Sequence, residues 1–235
     1  MNDRAFPRGS YRAANPTRPL SADERRIVDE FHALYYRLWD FGRGQGTLDL
    51  HWMGFHTLKC PMDLWVYQEI LVETEPDVII ETGTRFGGSA AYLASLCDLL
   101  GRGRILTVDL KQLSGQPQHP RIDYILGSSA SPAVMTQVRR RIEPGARVMV
   151  ILDSDHRRDH VLAELQAYYA LVSPGCYMIV EDANVNGHPV WPDHGPGPME
   201  AIEAFLPNHP EFSVDPSRER FLMTMNPSGF LLRTA

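Results

Sequence analysis

Short apolar runs alternate with helix-length segments along most of this chain, and that alternation restricts the possible folds more than any other feature. "DVIIETG" (residues 77–83), "RILTVDL" (104–110), "RIDYILG" (121–127), "ARVMVILDSDH" (146–156) and "CYMIVEDAN" (176–184) read as strands. "GGSAAYLASLCDLL", "SPAVMTQVRRRI", "RDHVLAELQAYYALV" and "GPMEAIEAFL" read as the helices that follow them. Strands without polar alternation must be covered on both faces, and a parallel sheet with helices on each side does this. The expected class is therefore α/β, with a doubly wound, mostly parallel sheet. "FLMTMN" (221–226) and "GFLLR" (229–233) are expected to add an antiparallel closing pair. Upstream, Ser21 and Glu24 have the spacing of a capping box, so a helix is expected over residues 22–42. Its apolar positions Ile27, Phe31, Leu34, Tyr35 and Leu38 share one face that must dock somewhere. The expected organisation is a flexible arm over residues 1–20, an N-terminal helical extension over 21–62 and the main domain over 63–235.

Composition narrows the class of partner. The 235 residues are 43% apolar and carry a net charge of −6, with Lys59 and Lys111 as the only lysines, so a nucleic-acid-binding face is not expected. Cys60, Cys97 and Cys176 are odd in number and widely spaced, which argues against a disulfide framework and for a reducing cytoplasm. No apolar run reaches the roughly eighteen residues of a membrane span. The N-terminal stretch has no apolar signal-peptide centre, so a cytoplasmic protein is expected.

The turn between the first parallel strand and its helix is rich in glycine. Ligands of doubly wound sheets bind at the carboxyl ends of the strands, close to the reversal of strand order. Gly83, Gly87 and Gly88 let a ligand approach the backbone, but E-x-G-x-x-x-G is not the dinucleotide fingerprint G-x-G-x-x-G. Asp109 ends the next strand, where an acid accepts both hydroxyls of a ribose. Glu81, under the turn, suits a cationic ligand end better than a pyrophosphate. S-adenosylmethionine fits this charge pattern and NAD fits it less well. The expected cofactor set is Glu81, Gly83, Thr84, Gly87, Ser89, Asp109, Ser128 and Asp153.

Two later strand ends carry a cluster of acids. "VILDSDHRRDH" ends in Asp153, Asp155, His156, Asp159 and His160, and "MIVEDANVNGH" ends in Glu181 and Asp182. Adjacent strands lie about 4.8 Å apart, so Asp153, Glu181 and Asp182 can converge, and converging carboxylates call for a cation. An all-oxygen set favours a hard ion, Mg2+ first, with Ca2+ or Mn2+ as alternatives. His156 follows Asp153 at D-x-x-H spacing and suits a general base. His160 reads as structural, and the loop "NGHPVWPDHGPGP", with His188 and His194, reads as a wall over the site.

These stretches, with "WMGFHTLKCPMDLWVYQEILVETEPDVIIETGTRFGGS" and the closing "NPSGFLLR", resemble the cephalosporin hydroxylase and rhamnosyl O-methyltransferase family over about residues 50–233. The resemblance implies a Rossmann-like fold and S-adenosylmethionine contacts at Glu81, Gly83 and Asp109. It also implies a magnesium site from Asp153, Glu181 and Asp182, with His156 as base. Magnesium-dependent sugar O-methyltransferases of macrolide pathways share that arrangement. Ser128 stands where relatives often carry an acid. The expected activity is O-methylation of a rhamnose-like deoxysugar hydroxyl on a glycosylated secondary metabolite or glycolipid, by a homo-oligomer. The alternative acceptor is a non-sugar hydroxyl, such as a cephem, catechol or polyketide alcohol. The rival from another class is an NAD-dependent oxidoreductase.

Overall fold

The computed structural model of the protein describes residues 19–39 and 46–235. Nearly all of the expected arm, and the last turn of the expected first helix, fall outside the described residues. Helix α1 (Ala22–Leu38) starts with the capping box read from the sequence, Ser21 and Glu24 each bonding the other's backbone. A short hairpin, β1 (His51–Trp52) and β2 (Phe55–His56), leads into α2 (Pro61–Thr74). The alternating region then runs β3 (Val78–Thr82), α3 (Gly88–Leu100), β4 (Arg104–Asp109), β5 (Ile122–Leu126), α4 (Pro132–Arg140), β6 (Val148–Leu152), α5 (Arg158–Tyr168), β7 (Tyr177–Val180) and α6 (Pro198–Phe205). β8 (Phe212–Val214) and β9 (Phe230–Arg233) close the chain.

Seven strands form one sheet in the order β5-β4-β3-β6-β7-β9-β8, with β9 antiparallel to both β7 and β8 and every other pairing parallel. Strand order reverses between β3 and β6, so the crevice lies at their carboxyl ends. All five residues of β3 and of β6 are buried. Ile80 and Val150 pack with Leu165 and Phe205 on one face; Ile79 and Ile151 pack with Ile70 and Leu93 on the other. Burying each such side chain contributes about 1.5–3 kcal/mol, which explains the unbroken apolar runs.

Two expectations change. The strand paired with β9 is Phe212–Val214, not residues 221–226. Leu222 takes a left-handed φ of +72°, which breaks an extended run, and the Thr224 hydroxyl and Met225 N–H both donate to the Asp63 carboxylate. α1 docks by only part of its apolar stripe. Trp39 packs with Cys60, Met223 and Met225, Tyr35 joins that cluster, and buried His32 accepts from Asn184 Nδ2 at 2.9 Å. Ile27, Phe31, Leu34 and Leu38 stay exposed.

Candidate active site

Glycine is required where the sheet reverses. Gly83 has φ +89°, and a Cβ there would stand 1.8 Å from the Asp153 carbonyl oxygen. No side chain fits between these two strand ends. At Gly88, a Cβ would meet the His56 carbonyl at 2.2 Å, so the hairpin is seated on the start of α3. Gly87 caps α3 in the left-handed conformation. The result is a cleft of about 330 Å³, lined on this side by Gly83, Thr84, Gly87, Ser89 and Asp109. Trp39, Leu58 and Met225 supply an apolar wall, and His56, stacked on Phe86, also lines the cleft. A second cavity of about 260 Å³ shares Gly83, Asp109 and Ser154 with it and adds Ser128, Ser129, Asp155 and His160.

Asp109 sits where the cavities meet, and its carboxylate accepts the Arg85 and Lys111 backbone N–H groups at 2.8 and 3.2 Å. Glu81 lines neither cavity. It is fully buried beneath the turn and accepts from Thr107, which contacts the Thr84 hydroxyl at 2.7 Å. Burial pushes its pKa up, against the opposing charge of Lys59. Its second oxygen has no hydrogen-bond partner among the described residues.

β6 and β7 are parallel neighbours, Leu152 beside Val180, so the acids that follow them converge. Ligand atoms of Asp153, His156 and Asp182 all lie within 4.8 Å of one another. His156 Nε2 is 3.1 Å from Asp182 Oδ2, and all three residues line the cleft. Glu181, the third acid expected here, is buried behind them. Its Oε1 accepts from Lys59 Nζ at 2.5 Å and from the Tyr67 hydroxyl at 2.8 Å. Lys59 also donates to Asp153.

The electrostatics follow from burial and crowding. Burial pushes Asp153 up to about 6, against the pull of Lys59, and burial with the Asp153 charge pushes Glu181 up to about 8. Burial alone lowers the His156 pKa, but Asp182, Asp153 and Glu181 outweigh it and leave a net upward shift. For Lys59 the surrounding carboxylates likewise outweigh burial, so it stays charged. Asp153, Glu181 and Asp182 outnumber the Lys59 ammonium, so the crowded acids hold on to protons that a divalent cation among them would displace.

Other expected positions fall elsewhere. His160, expected as structural, bonds the Ser154 and Ser129 hydroxyls at 3.0 and 3.2 Å and lines the second cavity. Asp155 accepts from its neighbour Arg157, which holds it down at about 2. The loop with His188 and His194 lines neither cavity. Glu200 draws it back, accepting from Asn186, His188 and the Gly197 N–H. The loop backs the His156 turn instead, with the Pro196 carbonyl accepting from Arg158 N–H at 3.0 Å. Lys59 and Tyr67 escaped the sequence reading, and the only signal was that Lys59 is one of two lysines in a chain whose other basic residues of this kind are arginines.

Sheet order, glycine turn and acid cluster together define the class, a Rossmann-like α/β fold with its ligand cleft and an acid cluster at the switch point. Residues 45–234 match the family model for rhamnosyl O-methyltransferase/CmcI. Relatives named rhamnosyl O-methyltransferase are 41% identical: one in Mycobacterium bovis (strain BCG / Pasteur 1173P2) over 214 residues, 88% of this chain and 85% of that protein. Another, in Mycobacterium leprae (strain TN), matches over 215 residues, 88% of this chain and 90% of that protein. The chain belongs to the rhamnosyl O-methyltransferase/CmcI family and is an O-methyltransferase. Among solved structures, CmcI in a Mg-SAM form superposes with a TM-score of 0.61 at 21% identity, covering 96% of this chain and 90% of its own. The O-methyltransferase TomG from Streptomyces achromogenes, in complex with SAM, gives a TM-score of 0.52 at 16% identity, over 92% of this chain and 100% of its own. Among the described residues no helix is long and apolar enough to cross a membrane.

Proposed function

We propose that this enzyme transfers the methyl group of S-adenosylmethionine to a hydroxyl of a rhamnose-like deoxysugar, carried by a glycolipid or a glycosylated secondary metabolite. The observation that carries the reading is the meeting of Asp153, His156 and Asp182 within 4.8 Å, at the cleft that Gly83 and Asp109 also line. The chain's 41% identity to rhamnosyl O-methyltransferases supports the sugar acceptor.

Asp153 and Asp182 at the cleft, with Glu181 behind them, would hold Mg2+, which when bound would supply Lewis acidity that lowers the pKa of a neighbouring hydroxyl. The protein's own groups do the rest. The Gly83–Gly87 backbone admits the cofactor, with Thr84 and Ser89 beside it. Asp109 has lone pairs left for the ribose hydroxyls, and Ser128 faces the second cavity, where the adenine fits. Buried Glu81 places a carboxylate beneath the cofactor's cationic end. His156 takes the hydroxyl proton, and Asp182, 3.1 Å from its Nε2, stabilises the resulting imidazolium. The hydroxyl oxygen forms its bond to the methyl carbon as the carbon–sulfur bond breaks. Positioning and local charge supply most of the acceleration.

The same proposal includes the organisation read from the sequence, with residues 21–62 as an extension on a catalytic unit of 63–235. It also includes a homo-oligomer and a cytoplasmic setting. The exposed stripe of α1 supports self-association, because acidic Asp23 and Glu24 at one end and Arg37 at the other complement each other in an antiparallel pair. The three buried, free cysteines agree with a reducing compartment.

The test pairs a rhamnosylated phenol with the same phenol lacking the sugar, each incubated with S-adenosylmethionine and Mg2+. Mass spectrometry should place the new methyl on the sugar fragment. Methylation of the free phenol alone would support the non-sugar acceptor. Calorimetric binding of NAD without binding of S-adenosylmethionine would overturn the methyltransferase reading.

A further inference from the structure

Glu181 and Asp182 are adjacent in sequence, yet they are held by one residue from the far end of the chain. Asn226 is fully buried in the loop that leads into β9. That strand pairs antiparallel with β7, so the loop before it returns to the carboxyl end of β7, beside the acids. The Asp182 N–H reaches Asn226 Oδ1 at 3.3 Å. A backbone N–H can only donate, so the carboxamide must present its oxygen there and its nitrogen elsewhere. Nδ2 donates to the Tyr67 oxygen at 3.1 Å, and Tyr67, its oxygen so engaged, donates its own hydrogen to Glu181 Oε1 at 2.8 Å.

Both ends of this relay are anchored. Asn226 N–H bonds Thr224 at 3.0 Å, and Thr224 donates to buried Asp63 on α2 at 2.6 Å. The Tyr67 ring packs edge-on against Phe230 of β9. Asp182 sits at φ +53°, a conformation that a non-glycine residue keeps only when its surroundings hold it. The Asn226 oxygen is one such hold, and the Met225 carbonyl, accepting from Asn184 N–H at 3.3 Å, is a second.

We propose that Asn226 is a positioning residue for the cation site, its one carboxamide setting Asp182 through the backbone and Glu181 through the Tyr67 hydroxyl. This rests on the reading that these acids hold a divalent cation. Tyr67 is the relay between the two, and neither Tyr67 nor Asn226 lines the cleft. Groups that orient metal-binding carboxylates from behind change affinity by about 10–100-fold when removed.

The experiment titrates Mn2+ into the full-length, metal-free protein and follows the free ion by electron paramagnetic resonance. Wild type, Tyr67→Phe and Asn226→Ala are compared, with S-adenosylmethionine affinity and melting temperature measured on the same samples. Tyr67→Phe keeps the ring and loses only the hydroxyl. Both variants should bind Mn2+ about 10-fold or more weakly. Tyr67→Phe should keep its cofactor affinity within about twofold and melt close to wild type. If Asn226→Ala fails to fold, Tyr67→Phe decides alone. Wild-type Mn2+ affinity in Tyr67→Phe overturns the proposal, as does a parallel loss of cofactor binding and melting temperature, which marks a structural role. Absence of Mn2+ binding in the wild type overturns instead the cation reading beneath it.

Discussion

Replacing Lys59 by Met tests how the acid cluster is held together without its metal. The side chain is 2% exposed, its ammonium contacts Asp153 and Glu181, and those side chains are 15% and 6% exposed. Met fills nearly the same volume, so the change removes charge and little packing. Taking one partner from a buried ion pair costs about 3–5 kcal/mol, because the remaining charge is left uncompensated. For a domain of about 150–250 residues each kcal/mol moves the melting temperature by roughly 2–4 °C, so a fall of about 6–20 °C is expected in EDTA.

The pH dependence follows from the direction of the shifts. Glu181 and Asp153 have folded pKa values raised to about 8 and about 6. A raised carboxylate contributes stability that is fully present below its unfolded pKa, about 4, and lost as pH rises through the folded value. Without Lys59 the largest force opposing that rise is gone, so the variant's deficit should be small at pH 5 and larger at pH 8. Mg2+ should restore more stability to the variant than to wild type, since the acids it meets have lost the Lys59 ammonium. Thermal unfolding followed by circular dichroism, at both pH values with and without Mg2+, measures all of this. A deficit below about 1 kcal/mol at pH 8 in EDTA would show that Lys59 does not hold the acids as a buried ion pair, since that is less than such a pair should cost.

His156→Gln should lower kcat by about 10²–10⁴-fold while cofactor binding stays near wild type, with part of the loss recovered at high pH. His160→Gln is the comparison and should leave kcat within a few-fold, its effect falling on cofactor affinity because it lines the second cavity. Asp109→Ala should weaken S-adenosylmethionine binding by about 1–3 kcal/mol in calorimetry; an unchanged Kd in a folded variant removes Asp109 from the cofactor site. Glu200, held down at about 2 by its partners, contributes stability present above the ordinary glutamate value and lost as pH falls towards 2. Glu200→Gln should flatten that acid limb and speed amide exchange in residues 186–197, and an unchanged limb would show that the loop is held by other contacts.

The alternating core was legible because each strand is buried on both faces, which leaves no choice but an apolar run. The capping pair at Ser21 and Glu24 was legible because these bonds are local in sequence. Residues 221–226 look strand-like by composition, but Asp63 claims their polar groups from 161 positions away, a long-range contact that periodicity does not register. Asp153, His156 and Asp182 were readable because strand ends in a parallel sheet converge wherever their order is known. Lys59 and Tyr67 were not, because their roles come from α2 and the segment before it packing across the ends of β6 and β7. The 188–198 loop, read as a wall from its glycine, proline and tryptophan, lines neither cavity and is held by Glu200 beside the His156 turn.

In the proposed function, the carboxylates at the ends of β6 and β7 serve the reaction by holding a divalent cation. The most direct measurement is the rate of methyl transfer from labelled S-adenosylmethionine to a rhamnosylated acceptor, after exhaustive dialysis against EDTA and again with excess Mg2+. Transfer should fall to background without the metal and return with it. In Asp182→Ala it should stay at background at the same Mg2+ concentration, because that variant loses one of few charged ligands. Undiminished transfer in the metal-free wild type would contradict the claim.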